Sequence, residues 1–264
     1  MEHLGIIGTG NMGGAMALGV KDLSEVSLYG FDPSKERIKS LGETCGLVPC
    51  EHLKELCEKS SYILLAVKPH LVPVVLKEIQ EYLKPDTCLI SIAAGVSINR
   101  LQKLSDNICP VVRVMPNTPA LVGKGVFALC LDDERLSEAN KIFVTDLLEH
   151  MGATYVLEER LFDAFTGLIG SGPAYVFHVM EGLIDAGVSL GLGRHESTEM
   201  VKGLFTGSAK MAEKTSLHIT QLKEMVTSPG GTTIAGLNKL EKYGVKHALY
   251  KGVKAAHDKS RKLG

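Results

Sequence analysis

The chain has 264 residues, is 45% hydrophobic and carries a formal net charge of −1. That length holds one large domain or two ordinary ones, with a sizeable core. A near-neutral chain without a long charge run lacks the basic face that phosphate backbones need, so nucleic acid is not an expected partner. The first half alternates short runs rich in Ile, Val and Leu with helix-like or turn segments. Strands are expected at 4–8, 26–31, 62–67, 88–93 and 111–115. Short apolar strands between amphipathic helices imply βαβ units and a parallel sheet buried on both faces. Two edge strands are expected at 125–131 and 153–157, around a helix near 137–150. After about residue 158 no further strand is expected. Residues 161–169, 174–190, 195–213, 219–226, 232–243 and 246–262 all read as helices.

Cys45, Cys50, Cys57, Cys88, Cys109 and Cys130 fit no zinc spacing. They read as reduced thiols of a cytoplasmic protein. The nine histidines show no paired ligand spacing, so no metal is expected. No basic n-region precedes the first strand, and no secretory leader is expected. The longest uncharged stretch, 164–180, contains Gly, Ser, Pro and a His, which makes it a poor membrane span.

"LGIIGTGNMGGAM" places Gly8, Gly10 and Gly13 in G-x-G-x-x-G, directly after a strand and at the start of a helix. The first glycine permits the tight turn, the second lets backbone approach a pyrophosphate, and the third lets helix and strand pack closely. This predicts an α/β fold, with a Rossmann-type, doubly wound, mostly parallel sheet over residues 1–158 and an all-α domain over 159–264. Candidate dinucleotide contacts are Ile7, Gly8, Thr9, Gly10, Asn11 and Met12. Asp32 ends the second strand, where an acidic side chain accepts from a ribose 2′-OH and repels a 2′-phosphate. That favours NADH over NADPH, although Lys35 and Arg37 stand close enough in sequence to meet a phosphate. Ligands of open α/β sheets collect at the carboxyl ends of strands. Ala66, Val67, Lys68 and Pro69 follow one such strand, Ile92, Ala93 and Ala94 end another, and Asn117 lies in the Pro-rich turn after a third.

Carbonyl reductases usually show a Lys, His or Tyr proton donor. A β-hydroxyacid dehydrogenase would be expected to carry a Lys on the helix entering its second domain. Residues 163–175, "DAFTGLIGSGPAY", contain none. Further on, "VTSPGGTTIAGL" packs Ser228, Gly230, Gly231, Thr232 and Thr233 into a chargeless break between helices. It reads either as a plain turn or as a bed of hydroxyl and N–H groups at a helix N-terminus. Gly167, Gly170, Gly172, Gly182, Gly187, Gly203 and Gly207 dot the helical half. Close approach of helix backbones is the expected reason, together with packing against a second subunit.

Taken together, "AVKPH", "AAGVS", "RVMPNTPALVGKG", "DAFTGLIGSGPAYVF" and "VTSPGGTTIAGL" resemble the pyrroline-5-carboxylate reductase family over nearly the whole chain. The resemblance implies reduction of L-1-pyrroline-5-carboxylate to L-proline by NADH or NADPH, the last step of proline synthesis. It implies that the helical half is a dimerisation domain that interlocks with a partner, giving a homodimer that can assemble further, up to a decamer. It places the Thr166 hydroxyl near the ring nitrogen. For the substrate carboxylate, Ser228 can donate, the Gly230–Thr233 backbone can offer N–H groups at a helix N-terminus and Thr232 or Thr233 adds a hydroxyl, with Glu159 a further candidate substrate contact. A cyclic imine bound as the iminium is already electrophilic, which suits the missing lysine. Three positions depart from the family. Asp32 and Leu53 stand where NADPH-using members often carry Ser and Asn, and Met225 stands where an Asn is often found. The competing readings are another Rossmann-type imine or hydroxyacid reductase, and a dinucleotide-sensing protein without catalysis.

Overall fold

The computed structural model describes residues 1–262. Eight strands form one sheet: β1 (Glu2–Ile7), β2 (Val26–Phe31), β3 (Val48–Pro49), β4 (Tyr62–Leu65), β5 (Cys88–Ser91), β6 (Val111–Met115), β7 (Gly125–Cys130) and β8 (Gly152–Val156). Their order is β3-β2-β1-β4-β5-β6-β7-β8. The first six are parallel, β7 runs antiparallel to β6, and β8 is parallel to β7. This is the doubly wound order in which the chain reverses direction beside β1. The helices of this region are α1 (Asn11–Gly19), α2 (Lys35–Cys45), α3 (Leu53–Lys59), α4 (Val72–Ile79), α5 (Ile98–Leu104) and α6 (Glu138–Glu149).

The central strands are apolar throughout because both faces are covered. Leu4 and Ile6 of β1, Leu64 of β4 and Ile90 of β5 point into one core cluster. Ile7, Ile63, Leu65 and Leu89 point into the other. Two strand expectations need correction. Residues 125–131 were expected at a sheet edge, but β7 is bracketed by β6 and β8. The other true edge, β3, was not expected. It has two exposed residues, held by the Tyr29–Val48 register, and is too short to leave a period in the sequence.

After β8 the chain is helical. The elements are α7 (Phe162–Phe165), a π-helical turn (Thr166–Gly170), α8 (Gly172–Ser189), α9 (Arg194–Glu213), α10 (Ile219–Met225), α11 (Thr232–Lys242) and α12 (Val245–Ser260). The chain divides into two compact units. The first is Met1–Ser171 together with the chain from Ala255 on, and the second is Gly172–Lys254. Thr166 therefore belongs to the same compact unit as the sheet. Positions 263 and 264 lie outside the described residues.

In the second unit only Ser197 and Val201 are buried. Val176, Phe177 and Leu183 of α8 and Met200 and Leu204 of α9 are exposed. Helices in proteins are stabilised chiefly by burying an apolar face, and these helices leave theirs open. A Cβ on Gly187 would meet Ser197 Oγ at 2.8 Å, so close packing within the chain explains that glycine. Gly182, Gly203 and Gly207 have nothing within 4 Å, so the same explanation does not serve for them.

Asp133, in the turn after β7, fastens three segments. Its carboxylate accepts from the Val111 N–H at 2.9 Å, from Gln102 Nε2 at 3.0 Å and from Arg135 Nη2 at 2.6 Å. Burial alone would raise its pKa, but the Arg135 and Gln102 hydrogen bonds outweigh it and hold the carboxyl down to about 2. A folded-state pKa below the unfolded value of about 3.9 stabilises the fold above that pH. The contribution is lost as pH falls from about 4 towards 2. Asp133→Asn is therefore expected to lower stability by about 2 kcal/mol at pH 7. In thermal melts across pH, the gap to the native protein should close as pH approaches 2.

Candidate active site

The parallel strands end level. Ile7 is paired with both Phe31 and Leu65, and Leu65 with Ser91. The residues that follow, Gly8, Asp32, Ala66 and Ile92, thus emerge along one end of the sheet. Gly8 turns there with φ +94°, where a Cβ would also strike the Ala66 carbonyl oxygen at 2.9 Å. A Cβ on Gly13 would fall 2.0 Å from the Gly8 carbonyl oxygen and 3.0 Å from the Ala66 side chain. Around Gly10 the nearest atom is Arg37 Nη1, 4.0 Å from where a Cβ would stand. The backbone is therefore open at the middle glycine and closed at the other two, which is what a pyrophosphate cradle requires. Gly10 caps α1 without a side-chain hydrogen bond. The first helical turn, Asn11 and Met12 included, offers N–H groups ahead of the first intrahelical bond, Gly14 N–H to Gly10 O at 2.8 Å. Asn11 is exposed and Met12 is half-buried against the core.

Asp32 reaches across to this loop. Oδ2 accepts from the Thr9 N–H at 2.7 Å and Oδ1 from the Ser34 N–H at 2.8 Å. Burial would raise its pKa, but those two N–H groups and the Arg37 charge more than compensate, so the carboxylate stays below its ordinary pKa. Leu53 is 3% exposed and packs in the second core cluster beneath α3. Val67 and Pro69 are half-buried and Lys68 is exposed at the end of β4. Ile92 and Ala93 are buried, and Ala94 is half-buried.

Thr166 opens the π-helical turn, which the Ser171 N–H closes onto the Thr166 carbonyl at 2.9 Å. Such turns inside helices often mark functional sites. The Thr166 hydroxyl donates to the Phe162 carbonyl at 2.7 Å. Its hydrogen is spent within the helix, and its lone pairs remain. Asn117 is buried; Oδ1 accepts from the Val126 N–H at 2.9 Å and Nδ2 donates to the Ile169 carbonyl at 3.4 Å. Both ends of this amide are used inside the protein. Glu159 Oε1 accepts from Arg113 Nη1 at 2.8 Å and from the Ile98 N–H at 2.7 Å. Arg113 was not anticipated. The signal was a charge inside the apolar strand "VVRVM", since a buried charge requires a partner.

Within the second unit, the chargeless break is both a turn and an N-terminus. The Gly231 N–H bonds to the Ser228 carbonyl at 3.1 Å, Gly230 turns with φ +65°, and α11 starts at Thr232. A Cβ on Gly231 would lie 2.3 Å from Ser228 Oγ, so the serine side chain folds back over the glycine. Gly231 caps α11 with no side-chain hydrogen bond. The first intrahelical bond is Ala235 N–H to Gly231 O at 3.3 Å. The N–H groups of Thr232 and Thr233 lie ahead of it, beside their own hydroxyls. Thr233 is half-buried and Thr232 exposed, while Met225 is exposed at the end of α10.

The family model described as pyrroline-5-carboxylate reductase dimerisation matches residues 159–263, and one described as NADP oxidoreductase, coenzyme F420-dependent, matches residues 3–95. The pyrroline-5-carboxylate reductase of Aquifex aeolicus is 38% identical over 99% of this chain and 97% of its own. The crystal structure of Plasmodium falciparum pyrroline carboxylate reductase with NADP bound is 35% identical, with a TM-score of 0.89 over 100% of this chain and 98% of its own. The pyrroline-5-carboxylate reductase of Coxiella burnetii is 29% identical, with a TM-score of 0.90 over 99% of this chain and 98% of its own. A glycine cradle at the end of a doubly wound sheet, a lysine-free helix carrying Thr166, an anion-ready SPGGTT turn and this full-length likeness together place the chain in the pyrroline-5-carboxylate reductase family.

Proposed function

We propose that the chain reduces L-1-pyrroline-5-carboxylate to L-proline with Thr166 at the ring nitrogen and the Ser228–Thr233 turn at the carboxylate. The observation that carries the first assignment is the place of Thr166 at the start of the π-helical turn, on a segment without a lysine. With its hydrogen given to Phe162, the Thr166 hydroxyl offers only lone pairs. It suits an N–H, so the imine binds protonated and brings in the proton that remains on the product nitrogen. Bound at the glycine loop, a reduced nicotinamide dinucleotide supplies the hydride that the C=N carbon takes up. The nitrogen receives the C=N electron pair and leaves as a neutral amine, so no side chain has to donate a proton. The work left to the protein is orientation. Thr166→Val is expected to lower kcat roughly ten- to hundredfold, the value of a hydrogen bond to a charged group. Unchanged kcat would sink this assignment.

The carboxylate assignment rests on the uncapped start of α11 and the hydroxyls beside it. N–H groups at a helix N-terminus favour an anion. Ser228 and Thr233 add donors, and Gly230, with nothing within 4 Å of where a Cβ would stand, admits a close approach. Combined Ser228→Ala and Thr233→Ala should raise KM for the imine about tenfold while sparing KM for the dinucleotide. An unaltered KM for the imine rejects the assignment.

The coenzyme is read as NADH. Asp32 stays ionised beside the glycine loop, where it accepts from a ribose hydroxyl and repels a phosphate. Arg37 near Gly10 is the group that favours NADPH instead. Asp32→Ser should raise the NADPH-to-NADH ratio of kcat/KM by about tenfold, measured with both coenzymes in parallel. A native enzyme already strongly selective for NADPH overturns the Asp32 reading. The open apolar faces of α8 and α9 suit a homodimer, which can assemble further into a decamer. The six free thiols suit a cytoplasmic location. No described helix is long and apolar enough to cross a membrane.

A further inference from the structure

Ser260, the last residue of α12, is 3% exposed. Its hydroxyl donates to Asp163 Oδ1 at 2.7 Å, across 97 positions of sequence. Helical hydroxyls in this chain commonly bond nearer home. Thr44 of α2, Thr145 of α6 and Thr198 of α9 each donate to the carbonyl four residues back, as hydroxyls within helices often do. Ser260 turns instead to a carboxylate on another helix. An alanine there would avoid the cost of burying a hydroxyl. What the serine adds is a directed bond, strengthened where its acceptor is charged.

That bond holds α7, a helix of four residues that leads straight into the π-helical turn opened by Thr166. The cap of α7, Leu161, makes no side-chain hydrogen bond. Phe162 and Phe165 pack with Ile98, Ala128 and Cys130 on one side. Apolar burial is non-directional, so it sets the depth of so short a helix and leaves its rotation soft. Asp163 stands in the first turn of α7. A bond of fixed length from there to α12 sets the rotation. α12 has 16 residues, and its end, from Ala255 on, belongs to the same compact unit as Asp163 and the sheet.

We propose that Ser260 is a positioning residue for the reduction, acting through Asp163 on the segment that carries Thr166. This role rests on the place given above to Thr166 at the ring nitrogen, and it needs nothing from the direction of that hydroxyl. Misplacement of a reacting partner by about 1 Å costs on the order of a hundredfold in rate. A one-turn helix latched to the end of the chain is a means of holding kcat.

The test measures turnover of pyrroline-5-carboxylate and, separately, coenzyme binding by the fluorescence of NADH or NADPH. Ser260→Ala should lower kcat about tenfold and leave the coenzyme Kd within about twofold. Ser260→Thr keeps the donor and should restore most of kcat. Combined with Asp163→Ala, Ser260→Ala should cost nothing beyond Asp163→Ala alone, because the two residues act through one bond. If Ser260→Ala lowers the melting temperature and leaves kcat intact, the bond is structural only and the proposal is overturned alone. Costs that simply add in the double variant overturn it as well. If Thr166→Val is itself fully active, the role of Thr166 falls and the proposal falls with it. Should Ser260→Ala fail to fold by circular dichroism, Ser260→Cys, whose thiol is a weak donor, carries the same comparison.

Discussion

A Cβ on residue 13 would fall 2.0 Å from the Gly8 carbonyl oxygen, so β1 and α1 can meet only around a hydrogen atom. That contact aims the start of α1 at the end of the sheet, where its free N–H groups gather. The parallel register then fixes what surrounds them. Because Ile7 pairs with Phe31 and with Leu65, Asp32 and Ala66 arrive level with Gly8. Asp32 can reach the Thr9 N–H from that position, and a one-residue slip of β2 would turn its side chain to the opposite face.

The elements that were legible in sequence are those whose cause is local. The glycine spacing states a steric requirement that three neighbouring residues must meet, so the loop could be read directly. The continuous apolar runs of β1, β4 and β5 follow from burial on both faces, and the long helices carry their own period. Ser228 to Thr233 read as a break because proline and glycine act within a few residues. What was not legible depends on distant partners. β3 exists only through its pairing with β2, and β7 left the edge because β8 returns beside it. Glu159 meets Arg113 46 positions away. A charge inside the apolar run VVRVM needs a partner, but no residue near it in sequence supplies one. Likewise, the Thr166 hydroxyl could be assigned to the ring nitrogen by resemblance, but its direction is a property of the folded helix.

The two compact units differ in what holds them. The first has two apolar clusters flanking the sheet and is filled on both sides. The second buries only Ser197 and Val201, and six of its helical glycines, Gly172, Gly182, Gly203, Gly207, Gly236 and Gly252, face open space. A unit of that kind gains little free energy from its own packing. Val176, Phe177, Leu183, Met200 and Leu204 leave apolar surface open on α8 and α9, of the kind that marks association sites. Where such a surface is covered by association, stability of the unit and assembly become one thermodynamic quantity, dependent on concentration.

The end of α12 returns to the first unit, where Ser260 Oγ donates to Asp163 Oδ1 at 2.7 Å, three residues ahead of Thr166. The two partners are 97 positions apart. During synthesis the sheet and the Thr166 segment leave the ribosome long before Ser260 does. The strands of the sheet can therefore assemble early, while the tether on the Thr166 segment waits for α12 to be made and to come back. A nascent chain stalled within the helical unit would hold the glycine cradle without the finished tether on the segment that bears Thr166, a built-in order of assembly.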